Sequence, residues 1–316
     1  MRQPPRQRTK AHRNTWHASA LAGALLALGD IASAATLPAC PPDGYTRETL
    51  LALRHDRFVI ADVDRRQSLA RSLLVCLSSP DGELRDRIGY EAYAYWRSAK
   101  SLDAGTWTFV EQDLLCVLSG RDDAAGVARP FAALVLAETV HADRDRPFLQ
   151  KAQRTALLDP AIAYFDAVRD YRGFDEDAGW RHGVAHGADL LGELALEPDF
   201  EQPQLDRILG ALATQVVAHD DRVYLFGESE RIAAAAARVA ARGRQPIEAW
   251  QAWLAGVTAP APLASWADAY SSLRGLARRQ NTMNFLLALY AELGPSKDAA
   301  SRALAVPVAD AMRPLR

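Results

Sequence analysis

Apolar residues return every three or four positions through almost the whole chain, and this periodicity is the strongest limit on its fold. Leu69, Leu73, Leu74 and Leu77 form one such stripe. Phe131, Leu134 and Val135 form a second, and Phe285, Leu286, Leu289, Tyr290 and Leu293 a third. A stripe of this period commits a segment to an amphipathic α-helix, because a half-buried strand needs an apolar residue at every second position. The short run Arg57-Phe58-Val59-Ile60 is the only stretch that reads as a strand. Pro80, Pro160, Pro198, Pro203, Pro260 and Pro262 interrupt the stripes, as proline does near helix starts and just beyond helix ends. The breaks lie about 12 to 20 residues apart and predict roughly twelve helices between Tyr45 and Leu293. Successive helices of this length bury their stripes against one another. The expected fold is therefore all-α: a HEAT- or armadillo-like α-solenoid of paired antiparallel helices, with a closed α/α toroid as the alternative. No strict internal repeat recurs, so this architecture rests on element lengths.

The N-terminus reads differently. Arg2, Arg6, Arg8, Lys10 and Arg13 precede an apolar stretch, Ala18 to Leu28, and then Ala32-Ser33-Ala34. Basic, apolar, small-residue is the order of a secretory signal, so residues 1–34 are expected to be a leader and the protein periplasmic or secreted. The apolar stretch is too short to span a bilayer, and no transmembrane segment is expected after its removal. A short linker, 35–44, leads into a single helical domain, 45–294, followed by a C-terminal tail, 295–316, that is helical or frayed. Leu37-Pro38-Ala39-Cys40 resembles a lipoprotein box, although Pro38 and the distance from the apolar stretch count against an anchor at Cys40. With 37 Lys+Arg against 39 Asp+Glu the net charge is −2, which offers no electrostatic reason to bind nucleic acid. Cys76 and Cys116 sit in apolar runs and read as small buried hydrophobes. Their spacing allows a Cys76–Cys116 bridge without requiring one, and an odd total of 3 cysteines leaves a thiol free or paired elsewhere.

The most informative segment runs from Gly179 to Leu194. Placed on a helix, His182, His186, Asp189 and Glu193 fall at i, i+4, i+7 and i+11, within roughly 60° of one another. Trp180, Val184, Ala188, Leu191 and Leu194 then fall on the opposite side. Two imidazoles one turn apart can bind a divalent cation with Asp189 as an oxygen ligand. The same pattern also suits the solvent face of an amphipathic helix, or histidines bonded to nearby backbone. Asp189 and Glu193 are a like-charge i,i+4 pair, unfavourable unless a cation lies nearby. The glutamate of the zincin motif is missing, so the protease analogy fails. Gly183, Gly187 and Gly192 allow close helix packing. His219 could serve as a base from the next turn, whereas His141-Ala142-Asp143 reads as a helix cap. Asp175-Glu176-Asp177 suits a helix N-terminus. Tyr93 and Trp96 read as core, and Tyr90 as a residue that could line a groove for a peptide or glycan. The nucleophile elbow, Walker A loop, dinucleotide fingerprint and Cys-x-x-Cys are all missing.

Five stretches together resemble the bacterial family designated domain of unknown function 2785. They are Gly89 to Trp96, Arg129 to Ala137, Asp170 to Phe174, Gly179 to Leu191 and Asn281 to Leu289. The likeness runs from about Leu50 to Leu293, and Trp-x-His-x-x-x-His-x-x-Asp is its most specific part. It implies an all-helical fold and assigns no activity. The family's Arg-Ser-Phe-Ser-Ala reads Arg129-Pro130-Phe131-Ala132-Ala133 here, which removes two hydroxyls and argues against a catalytic serine at that place. By the match, Trp180, His182, His186 and Asp189 carry over as candidate site residues. Two functions stay open. The first is an exported binding or scaffold module of the cell envelope, holding a protein or peptide on a concave helical surface. The second is a metal-dependent hydrolase of an envelope peptide or glycan, with His182, His186 and Asp189 as ligands and Glu193 or His219 as base.

Overall fold

The computed structural model describes residues 39–120, 123 and 125–315. The proposed leader, 1–34, lies outside the described residues. The described chain is predominantly helical. Helices α1 (Arg47–His55), α2 (Val63–Ser72), α3 (Glu91–Ser98), α4 (Ala104–Ser119), α5 (Ala128–Asp145), α6 (Lys151–Ala156) and α7 (Leu158–Ala167) occupy the first half. A two-stranded antiparallel hairpin, β1 (Phe174–Asp175) and β2 (Gly179–Trp180), separates them from α8 (Gly183–Ala195), α9 (Gln202–Thr214), α10 (Glu228–Ala241), α11 (Ile247–Val257) and α12 (Leu273–Leu293). Two short helices, α13 (Ala299–Ala303) and α14 (Ala305–Ala311), pack on α10, α11 and α12 and bury Val308 and Met312. Among the described residues no helix is long and apolar enough to cross a membrane.

The helices contact one another in two rows. In one, α5, α8, α10 and α12 touch in succession; in the other, α4, α7, α9 and α11 do. Cross-contacts α4–α5, α7–α8 and α9–α10 tie the rows together. The apolar stripes face the seam: Phe131, Leu191, Leu212, Ile232 and Phe285 are buried. At the N-terminal end, a 3₁₀ segment, Leu73–Ser78, and a π-helical segment, Glu83–Tyr90, lead into α3 and pack on α5. The π geometry was not visible in the sequence, and segments of this kind often mark functional places.

Three sequence expectations change here. Arg57-Phe58-Val59-Ile60 is not a strand. Arg57 and Phe58 have φ of 54° and 52°, turning the chain off α1 so that Phe58 is buried and its carbonyl accepts from the Trp96 indole at 3.0 Å. The bridge joins Cys40 to Cys76, with Cα atoms 4.8 Å apart, rather than Cys76 to Cys116. Cys116 is an exposed free thiol, because it lies on the outward side of α4. Tyr93 and Trp96 are fully buried, as core residues should be.

Two glycines on neighbouring helices give opposite expectations. A Cβ at Gly187 in α8 would meet Phe165 Cδ2 at 2.5 Å and Tyr164 Cε1 at 3.1 Å. Both rings are buried, and Tyr164 is held by its hydroxyl donating to the Gly183 carbonyl at 3.1 Å. A Cβ at Gly210 in α9 meets nothing within 4 Å. Gly187→Ala should lower stability by about 1–3 kcal/mol through overpacking, whereas Gly210→Ala should raise it by about 0.5–1 kcal/mol through helix propensity. Urea unfolding of the two variants checks the sign. Equal shifts would show that α7 and α8 do not approach this closely.

Candidate functional site

The hairpin fixes the position of Trp180. Asp175 Oδ1 accepts from the Asp177 and Ala178 amides at 3.0 and 2.8 Å and closes the turn. Asp175-Glu176-Asp177 is thus a hairpin turn and not the start of a helix. Arg85, on the π segment and 0% exposed, reaches across to this hairpin. Its Nη2 donates to the carbonyls of Ala178 at 2.6 Å and Trp180 at 2.9 Å, and its Nη1 to that of Ser79 at 2.9 Å. Asp86 Oδ2 accepts the Trp180 amide at 3.1 Å. Trp180 is therefore on a strand. It stands beside His182 and not opposite it, as a continuous helix would have required.

His182 is the N-cap of α8, with φ 54° and ψ 36°. This left-handed turn aims the chain from the hairpin into the helix. The imidazole stacks on Trp180, with centroids 4.8 Å apart and planes at 27°, and meets His186 edge-on at 5.4 Å. His186 in turn meets the Phe131 ring edge-on at 5.1 Å. Tyr90, Phe131, Trp180, His182 and His186 line a cleft of about 1120 Å³, bounded by the π segment, α5, the hairpin, α8 and Phe226. Carboxylates of Asp81, Glu83, Asp86, Glu91, Glu176 and Asp177 surround its mouth.

The other two ridge residues line an adjoining cavity of about 280 Å³ that shares Tyr90, Leu134 and Arg231 with the cleft. Each carboxylate there has its cation. Asp189 pairs with Arg231, and Glu193 with Arg144 and, at 3.2 Å, with Arg238. His141 Nδ1 lies 3.5 Å from Glu193 Oε2, so this histidine belongs to the cavity, and Asp143 is not a helix cap: it accepts from the Phe148 and Leu149 amides of the loop after α5. His219 is not beside this group. It sits in the loop after α9, its amide donating to the Tyr171 hydroxyl at 3.1 Å and its carbonyl accepting from Arg274 at 2.8 Å. The structure brings together His182, His186, Trp180 and Tyr90, with Asp189 and Glu193 next door, and leaves His219 out. Arg85, Asp86, Phe226, Glu228 and Arg231 are neighbours the sequence did not single out. Only Leu225-Phe226, apolar residues exposed just before Gly227, carried a visible signal.

Burial governs the titration of the site. His182 is pushed down to about 4 by burial first and by Arg231 second, and His186 falls well below its ordinary value for the same reasons plus the proximity of His182. Both imidazoles are neutral near pH 7. His182 Nε2 and His186 Nδ1 are buried and have no hydrogen-bond partner. Burial raises the carboxyls of Asp86, Asp189 and Glu228 above the usual range.

A metal would need a third ligand. Asp189 is engaged by Arg231, and the Glu228 carboxylate lies 4.0 Å from His182 Nε2. Among the described residues no group of three or more His, Cys, Asp or Glu side chains is arranged to hold a metal ion.

The neutral histidines predict acid sensitivity. The unfolded chain protonates them near their ordinary value, whereas the folded chain resists to about pH 4 at His182. Between those values the unfolded state binds more protons, so stability falls as pH falls. From about pH 6.5 to about pH 5, His182 is worth up to roughly 2 kcal/mol of loss, and His186 acts in the same direction. His182→Gln should remove its share, seen as a smaller fall in Tm between those conditions. An unchanged fall would show that this ring titrates normally.

Residues 114–291 match the profile of a family described as "Protein of unknown function (DUF2785)". No curated protein and no solved structure matches the chain.

Proposed function

The chain belongs to the DUF2785 family, and we propose that it is an exported binding module of the cell envelope that holds its ligand in the cleft floored by Trp180, His182 and His186. The observation that carries this reading is a cleft of about 1120 Å³ lined by two almost fully buried imidazoles, each with a ring nitrogen that finds no partner. Buried polar atoms are normally satisfied, and two unpartnered ones behind the wall of one cleft favour a functional place. The two rows of successive helix contacts support a solenoid of paired helices, with the cleft beside α5 and α8. The basic and apolar leader pattern and the Cys40–Cys76 disulfide both favour an oxidising, extracytoplasmic compartment.

A thermal-shift screen of defined peptides and oligosaccharides tests the reading. A ligand that raises Tm in the native chain should fail to do so in Trp180→Leu. Retention of the shift in that variant would move binding elsewhere. The second reading, metal-assisted hydrolysis of an envelope peptide or glycan, has the same open ring nitrogens in its favour. It requires stoichiometric zinc, manganese or nickel in the purified protein, lost in His182→Ala, and elemental analysis decides it.

A further inference from the structure

The mouth of the cleft is charged asymmetrically. Six carboxylates line it against two guanidinium groups, those of Arg87 and Arg231, and Arg231 is already paired with Asp189. Three of the six sit on the π segment or the turn before it and are answered from outside the cleft: Arg47 pairs with Asp81 and Glu83, and Arg85 with Asp86. Arg54 does the same for Glu91. Glu176 and Asp177, at the tip of the hairpin, form no ion pair among the described residues.

The aromatic side of the mouth is built on the same hairpin. His182 covers one face of the Trp180 indole. Phe174 and Phe226 stand steeply against it, at 60° and 89°, with centroids 5.2 and 6.0 Å away. Both phenyl rings are substantially exposed, at 48% and 41%. Aromatic faces beside uncompensated carboxylates attract a cation by two routes, Coulombic and quadrupolar.

Below the mouth, His182 and His186, 8% and 6% exposed, line the cleft, and each carries a ring nitrogen, sealed from solvent, that no protein group satisfies. The volume, about 1120 Å³, exceeds that of most small-molecule pockets and has room for several residues of a chain.

Resting on the cleft reading above, we propose that the ligand is a cationic peptide segment whose lysine or arginine side chains meet Glu176, Asp177 and the Phe174–Trp180–Phe226 rings.

Fluorescence anisotropy on the full chain tests this with a labelled peptide of alternating glycine and lysine, its glutamine and glutamate counterparts, and a neutral N-acetylglucosamine oligomer. The lysine peptide should bind at least about tenfold more tightly than the glutamine peptide, a difference of the size two desolvated charge contacts supply. The paired change Glu176→Gln with Asp177→Asn, on an exposed turn that the fold does not depend on, should weaken it about five- to tenfold, and Trp180→Leu at least as much. Raising salt to about 0.5 M should weaken it further, because rim charges are screened over a Debye length. Equal or tighter binding of the glutamine or glutamate peptide, or binding of the sugar oligomer alone with sensitivity to Trp180→Leu, overturns the cationic assignment and leaves the cleft as a binding site. Lysine-peptide binding indifferent to both variants overturns the assignment too. Failure of every probe to bind the native chain overturns the cleft reading as well.

Discussion

Arg85→Met is expected to destabilise the protein by about 3–5 kcal/mol, the range seen when one partner of a buried charge pair is removed. The guanidinium is fully buried, donates three hydrogen bonds, to the carbonyls of Ser79, Ala178 and Trp180, and forms an ion pair with Asp86 at 2.8 Å without hydrogen-bond alignment. Its remaining face lies over the Phe131 ring, 4.9 Å from the centroid. Methionine fills much of the volume and supplies none of the donors. Three carbonyls and the Asp86 carboxyl would then be buried without them, and each unsatisfied group costs on the order of 1–3 kcal/mol. The loss should be local before it is global. Ala178 and Trp180 are joined to the π segment through this one side chain and through Asp86, so amide exchange should rise first across residues 174–182. Lysine should not rescue, because a point ammonium cannot span carbonyls on two elements as the guanidinium fork does. Denaturant midpoints and hydrogen exchange measure both parts. An Arg85→Met protein within about 1 kcal/mol of the native chain would show that the hairpin is held by something else.

This side chain also shows where sequence reasoning stops. The stripes made the helices legible, since each is a local pattern: α1 to α12 fall between Tyr45 and Leu293, where the periodicity placed them. The like-charge pair Asp189 and Glu193 announced that cations were needed, and Arg231, Arg144 and Arg238 are those cations. The link from Arg85 to Ala178 and Trp180 spans more than ninety residues and has no periodic signature. Without it the segment from Gly179 extrapolates as helix, which puts Trp180 on the wrong side of His182. The backbone turn at His182 is a further local irregularity: histidine is enriched among non-glycine residues of left-handed φ, but the residue type alone does not mark the place. The Cys40–Cys76 pairing escaped for the same reason as Arg85: it depends on where the start of the domain lies against the 3₁₀ segment, not on spacing.

Glu193→Leu is expected to cost about 3 kcal/mol while leaving ligand affinity at the neighbouring cleft within about tenfold, and this separation distinguishes a structural from a catalytic carboxylate. The side chain is 12% accessible and is shared between Arg144 and Arg238, which come from α5 and α10. It therefore pins together three successive helices of one row. Leucine conserves volume on α8 but removes the carboxylate that the Arg144 and Arg238 guanidinium groups share. Arg144 has a second carboxylate in reach, Glu197 Oε1 at 3.8 Å. Burial pushes Glu197 up to about 7 in the native chain. Releasing Arg144 from Glu193 should draw it toward Glu197 and lower that value, so the variant should lose less stability as pH rises from about 5 to about 7 than the native chain does. The sign follows from linkage: a carboxyl raised by folding contributes less as it ionises. A double change, Glu193→Leu with Arg144→Leu, should recover part of the loss, because a buried pair replaced on both sides no longer leaves a charge exposed to a low dielectric. Native-like stability in Glu193→Leu together with complete loss of a measured turnover would reverse the assignment and make this carboxylate a participant in chemistry.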